Sequence, residues 1–369
     1  MTGKQQLHGL TIARGLAAWL VVLFHIRGGI RWLLPNEMMT VIDKGYLAVD
    51  FFFLLSGFVI YLSAHKAFLT DGWRAALPFF RRRFARIYPL HFFMLALTII
   101  FVLILTATGR STIGYPWEEL PLHILLMQNW GFTEKLSWNH PAWSISTEAV
   151  AYMMFPLLML ATPLARAPRW ALATGIVAAA AIMAIWLHMA GLPHLGANIS
   201  GYGLVRCLFE FAAGSMLCAL WLRIRGDATQ MRIATIIAIA VIAGAGWAWS
   251  MQATRELWAF PLMTASAIFL LAQLPIQGNA PAGCAALPLR GLIYLGEISY
   301  ATYLSHFMLF IWFKIAFVDH PAHIPPLTVA LFLALTFLLS VLLYHLVEKP
   351  GRRLFSPRRA ATTAAVATA

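Results

Sequence analysis

Charge is what this chain has least of. Asp, Glu, Lys and Arg make up 11% of its 369 residues, against about 25% in a soluble domain. An ordinary soluble globular protein is excluded on that ground. Acid is scarcer than base: 14 Asp and Glu stand against 27 Lys and Arg, for a net charge of +13. Such an excess would suit nucleic acid, but the basic residues cluster at one set of ends between apolar runs, which reads as membrane orientation instead. Cysteine is almost absent. Cys207, Cys218 and Cys284 show no C-x-x-C spacing, so neither a disulfide framework nor a metal site is expected from them. A cleavable leader is also missing. Residues 1–9 hold a single Lys, and no small-x-small site precedes Arg27 and Arg31, so the first apolar segment is expected to be retained as a membrane helix. There is no internal repeat.

What remains is apolar: 61% of residues are hydrophobic and the mean hydropathy is +0.75. The expected fold is an all-α polytopic membrane protein, a single bundle of about ten transmembrane helices. The candidate spans lie near 8–27, 45–64, 87–107, 142–162, 170–190, 203–222, 232–251, 257–275, 291–317 and 326–347. With the N-terminus inside, 18 Lys and Arg flank the inner ends and 6 the outer ends. This is a positive-inside bias that places both termini in the cytoplasm. Residues 1–353 are read as one membrane domain, and 354–369 as a disordered basic cytoplasmic tail. The longest outer loop, 108–141, contains an apolar run at 121–130 too short to span, read as an interfacial or re-entrant helix.

The first span carries Arg14 and His25. Eleven steps of about 100° bring them to one helix face, about 16 Å apart along the axis. A cation and an imidazole on one stripe are expected to face a polar interior, which makes them functional candidates; snorkelling to the two interfaces is the alternative. Asp50 sits about a turn and a half inside the second span and wants a partner. Ser56 and Gly57 behind it are read as tight helix packing. The inner loop then gives Arg81-Arg-Arg-Phe-Ala-Arg-Ile-Tyr-Pro. Arg83 and Arg86 stand at i, i+3 and can address one polyanion, or else anchor anionic headgroups. Glu148 lies about two turns into the fourth span. Arg206 and Glu210, at i, i+4 on the sixth, fit a local ion pair as well as a site. His306 on the ninth span is a buried histidine, and Glu348 with Lys349 looks like an interfacial charge cluster. By depth, His25, Asp50, Glu148, Arg206, Glu210 and His306 fall in the outer half, and Arg14 with the Arg81–Arg86 cluster falls toward the inside. The pattern suggests a polar path with an anion-attracting inner mouth and an outer acid/base chamber.

These residues lie in stretches that resemble one family. Arg14-Gly-Leu-Ala-Ala-Trp-Leu-Val-Val-Leu-Phe-His25 is similar to the opening helix of the acyltransferase family 3 membrane proteins. Ala48-Val-Asp-Phe-Phe-Phe-Leu-Leu-Ser-Gly-Phe, Arg83-Phe-Ala-Arg-Ile-Tyr-Pro, Trp143-Ser-Ile-Ser-Thr-Glu, Ile298-Ser-Tyr-Ala-Thr-Tyr-Leu-Ser-His and Val347-Glu-Lys-Pro-Gly-Arg-Arg follow in the right order. The resemblance runs over 7–353. Thr11 stands where many members have Asp, and Ala149 where a second Glu is frequent; these departures bear on the subfamily and its acceptor. Some members carry a hydrolase-like domain after the bundle, which is not expected within these 369 residues. The resemblance implies an O-acetyltransferase of the bacterial inner membrane. Its donor would be cytoplasmic acyl-CoA, usually acetyl-CoA. Its acceptor would be a hydroxyl of a cell-surface or exported carbohydrate or glycolipid. No bound cofactor and no metal are implied. Arg83 and Arg86 would hold the CoA phosphates. His25 would be the general base, acting with Arg14 and oriented by Asp50 or Glu148. Trp143, Arg206, Glu210 and His306 would line the acceptor chamber. The competing class is a proton-coupled secondary transporter using the same buried charges, against which stands the lack of a repeated half. A lipid-binding scaffold is a third.

Overall fold

Apolar runs in a bilayer must satisfy every backbone N–H and C=O internally, and the helix does so within one segment. The computed structural model describes residues 7–162, 164–274 and 287–355, and among these no strand occurs. Thirteen α-helices follow one another: α1 His8–Ile30, α2 Asn36–Asp43, α3 Ala48–Asp71, α4 Ala76–Ala107, α5 Leu120–Ile124, α6 Ala142–Ala161, α7 Arg169–Met189, α8 Ile199–Ile224, α9 Ala228–Ser250, α10 Glu256–Leu271, α11 Leu287–Phe317, α12 Pro326–Leu343 and α13 Lys349–Phe355. The ten expected spans correspond to α1, α3, α4 and α6 to α12. Seven helical stretches are long and apolar enough to cross a membrane, one of which, Asn36–Ala107, contains both α3 and α4. Of the rest, α10 is apolar but only 16 residues long, and α11 is diluted by Ser299, Thr302, Ser305 and His306. The protein is a multi-pass membrane protein. The expected tail lies almost wholly outside the described residues, as does Cys284.

The most extensive packing joins α3 to α8 and α1 to α11. Both crossings depend on glycine. A Cβ on Gly57 would strike the Phe211 backbone, and one on Gly214 would strike Leu54. A Cβ on Gly15 would meet the backbone of Gly296, and one on Gly296 the carbonyl of Thr11. Small residues let helices approach closely in lipid, where packing rather than hydrophobicity drives association. The α1–α11 contact is what brings the Arg14–His25 stripe against a polar face. At the periphery, α9 buries only Ala238.

Two expectations change. The arginine run 81–86 is not in a loop: α4 begins at Ala76 and carries it as helix, because Pro78 falls in the first turn, where its missing N–H is tolerated, and no Gly or Pro interrupts 79–88. The run 121–130 is not a continuous interfacial helix. It makes the five-residue α5 and then a series of turns, with Leu126 at φ 57°. Its polar groups hold it against the start of α6 instead. Gln128 Nε2 donates to the Ala142 carbonyl at 3.1 Å, the Asn129 N–H to Ser146 Oγ at 3.1 Å, and Trp130 Nε1 to the Ser146 carbonyl at 2.9 Å.

Candidate functional site

A cavity of about 170 Å³ opens between α1, α3, α4, α6 and α11, lined in part by Arg14, Arg83, Arg86, Ser56, Glu148 and Tyr303. The α1–α11 crossing fixes Arg14: its Nε and Nη2 donate to the Gly296 carbonyl at 3.1 and 2.6 Å. Its Nη1 makes no hydrogen bond to the described protein. One turn of α4 aims Arg83 and Arg86 at the same space. The Arg83 guanidinium lies 5.9 Å from the ring centres of Phe79 and Tyr152, and its Nε has no partner. Arg86 is ion-paired with Glu348 and sits 5.5 Å from the Tyr300 ring. Glu348 is 1% exposed. It is a buried counter-ion that Arg86 shares with Arg352, 3.7 Å away and 46% exposed, so it links the cavity to the expected charge cluster at the end of the last helices. A π turn, Tyr344–Glu348, joins α12 to α13 and carries it there.

Glu148 joins this cluster. Sequence depth set it apart from the arginines, in the outer chamber; the structure places all four side chains on one cavity. Residues of α4 and α6 meet at this cavity, so a split into two levels by span depth separates groups that are neighbours. The Ser56 hydroxyl donates to the Glu148 carboxylate, and the Tyr152 hydroxyl is 3.4 Å from Ser56 Oγ. Gly57 packs tightly as expected, but Ser56 is a polar lining residue. Ser144 Oγ and the Tyr303 hydroxyl, 2.8 Å apart, also line the cavity.

Beyond Tyr303 lies a second group. The His25 ring centre is 4.9 Å from that of His306, and Nδ1 of His25 is 3.2 Å from Nε2 of His306. Phe307 stands edge-on to His25 at 5.2 Å and stacks on His140 at 4.7 Å. His140 belongs to the loop before α6, where burial lowers its pKa and keeps the ring neutral. The Tyr303 ring is 6.1 Å from His306, so one tyrosine borders both the cavity and the histidines.

Asp50 belongs to neither group. Arg206 Nε donates to its Oδ1 at 2.9 Å, and Nη2 reaches Oδ1 and Oδ2 at 2.7 Å each. Both side chains are 1% exposed, with the Trp143 ring 5.7 Å from the guanidinium. Asp50 thus does not orient His25. Its partner is Arg206, which pairs across the α3–α8 crossing rather than along α8 with Glu210. Glu210 is 2% exposed, and its Oε2 has no partner. Buried carboxylates seek the nearest fixed fork, and the bidentate geometry favours Arg206. Among the described residues no group of His, Cys, Asp and Glu could hold a metal ion. The site residues that sequence reasoning missed are Ser56, Tyr152, Tyr303, His140 and Glu348. The Ser-Gly pair, the Ile298–His306 stretch that contains Tyr303 and the closing Val-Glu-Lys-Pro stretch offered a signal for three of them.

The arrangement holds a polyanion-sized set of guanidinium groups at one level and a paired imidazole at the next. The family model described as an acyltransferase domain matches residues 7–345. The chain is 30% identical to the acyltransferase MdmB of Streptomyces mycarofaciens, over 89% of this chain and 86% of that one. It is 21% identical to the O-acetyltransferase OatA of Staphylococcus aureus, over 96% of this chain, and spans 58% of that protein's length. No solved structure matches the chain.

Proposed function

The chain belongs to the acyltransferase 3 family; on that premise we propose that it is a membrane O-acetyltransferase that moves an acetyl group from cytoplasmic acetyl-CoA to a carbohydrate hydroxyl on the far side of the inner membrane. The observation that carries this is the order of groups along one stripe. Arg14 shares a cavity with Arg83, Arg86 and Glu148, and His25, about 16 Å further along α1, is paired with His306.

A CoA phosphate approaching from the cytoplasm meets Arg83 first as a free cation, because Glu348 already neutralises Arg86. Arg86 keeps 22% of its side chain exposed and adds charge from the rim. The thin pantetheine arm runs past Arg14 and Tyr303 toward the histidines. The thioester carbonyl then lies near His25, and the acceptor hydroxyl comes from the outer side. A hydroxyl is a poor nucleophile at neutral pH, and a neutral imidazole is the side chain suited to take its proton. Nε2 of His25 takes that proton as the hydroxyl oxygen attacks the thioester carbon. The tetrahedral intermediate collapses, the C–S bond breaks, and the CoA thiolate leaves and receives the proton from the imidazolium. Asp50 and Arg206 brace the α3–α8 crossing and make no contact with the reacting atoms.

Purified protein in proteoliposomes tests the donor. Acetyl-CoA with a carbohydrate acceptor should release free CoA, and surface glycans of cells lacking the protein should lose an acetyl mass. Thioester that stays intact while a proton gradient drives solute uptake would favour the transporter instead.

A further inference from the structure

We propose that His306 is the positioning residue of the reaction: across the α1–α11 interface it accepts the Nδ1–H of His25, holding that ring in the tautomer whose Nε2 is free to take a proton. The inference rests on the reading of His25 as the base. It does not place His306 against the acceptor, because that side chain is 0% exposed.

Two backbone carbonyls decide where the protons are. Nδ1 of His25 is 2.8 Å from the Val21 carbonyl, four residues back on α1. An unprotonated nitrogen would set two lone pairs against each other at that distance, so Nδ1 carries the proton. Nδ1 of His306 is 3.1 Å from the Thr302 carbonyl, four residues back on α11. By the same argument it is protonated, which leaves Nε2 of His306 bare. The 3.2 Å contact between the rings then runs from His25 Nδ1–H to His306 Nε2, as the longer branch of a bifurcated bond whose shorter branch goes to the Val21 carbonyl. The neighbouring hydroxyls do not compete. Ser305 Oγ donates to the Ala301 carbonyl at 2.8 Å and Thr302 Oγ1 to the Ile298 carbonyl at 3.3 Å.

The shared proton matters most after His25 has accepted a second one at Nε2. The imidazolium Nδ1–H is a stronger donor, and a bare nitrogen facing it in a buried setting stabilises the cation. The carbonyl of Val21 remains if His306 is lost. The effect should therefore fall well short of the roughly 10⁴ lost when the orienting carboxylate of a serine-protease triad is replaced.

Three variants assayed in proteoliposomes test this. His306→Leu removes the acceptor, and His306→Gln returns an acceptor oxygen on a side chain of similar reach. His25→Ala tests the underlying reading. We expect His306→Leu to lower kcat by about tenfold or more with KM for acetyl-CoA unchanged, which is about 1.4 kcal/mol or more of transition-state stabilisation. His306→Gln should recover most of that loss. Wild-type turnover in His306→Leu would overturn the proposal. So would a His306→Gln protein that melts like wild type but is as slow as the leucine variant, because His306 would then be needed for its own proton. Full activity in His25→Ala would instead remove the base reading itself. Should His306→Leu not fold, nitrogen NMR of labelled histidine in the wild-type protein decides: a bare Nε2 at His306 coupled across the contact to the Nδ1–H of His25 supports the proposal, and a protonated Nε2 at His306 overturns it.

Discussion

Asp50 and Arg206 form a buried ion pair across the α3–α8 crossing, and we expect it to act on stability. Each is 1% exposed and three hydrogen bonds join them. Breaking such a pair leaves an uncompensated charge and is worth about 3–5 kcal/mol, whereas replacing both partners by apolar residues is often neutral. Asp50→Ala should therefore lower the unfolding midpoint of the detergent-solubilised protein strongly, and Asp50→Leu with Arg206→Met should recover most of it, with turnover intact. A stable but inactive double variant would return the pair to the chemistry. Arg83 and Arg86 should also separate. Arg83→Ala should raise KM for acetyl-CoA far more than KM for the acceptor. Arg86→Ala should chiefly destabilise, because it leaves the buried Glu348 with only the more distant, half-exposed Arg352, and Arg86→Met with Glu348→Leu should fold better than Arg86→Ala alone. Equal KM effects and equal stability in the two single variants would contradict this division. The shared face of Arg14 and His25 was legible in the sequence because both lie on one helix, where a period of 3.6 fixes their relation. The partner of Asp50 was not, because Arg206 is 156 residues away and nothing in the local pattern ranks it above Arg14 or His25. The His25–His306 contact, 281 residues apart, was hidden for the same reason.

The helices themselves were nearly all legible, since each span announces itself by twenty or so apolar residues (roughly the thickness of a bilayer). What single spans do not announce is which pairs cross closely. The glycines supply that information only once two helices are seen together. Gly15 and Gly296 sit at the point where α1 meets α11, and Gly296 also offers the carbonyl that holds Arg14. Gly296→Val should wedge the helices apart, displace Arg14 from that carbonyl and reduce turnover sharply. Gly28, with open space around it, should accept Ala at little loss. Activity and melting temperature of the two variants, measured side by side, check this. Equal tolerance at both positions would mean that the α1–α11 approach is not what sets the site. The outer loop misled sequence reading for a related reason. Its apolar run resembles a helix, yet Gln128 and Asn129 find fixed partners on α6, and those hydrogen bonds outweigh local propensity.

Across the bilayer, the proposed function needs a sided path. The asymmetry of Lys and Arg, 18 against 6, predicts cytoplasmic termini. Reporter fusions placed after Phe355 should read as cytoplasmic, and a periplasmic signal would invert the path and put the guanidinium cavity on the wrong side for CoA. The central claim is that His25 takes the acceptor's proton. The most direct measurement is kcat for acetyl transfer by His25→Ala in proteoliposomes, with acetyl-CoA binding followed in the same preparation. General-base catalysis is typically worth about 10²–10⁴ in rate. A loss of that order in kcat with acetyl-CoA binding kept, and no rescue by His25→Gln, is the predicted result. Near-normal turnover in a correctly inserted His25→Ala protein would contradict it.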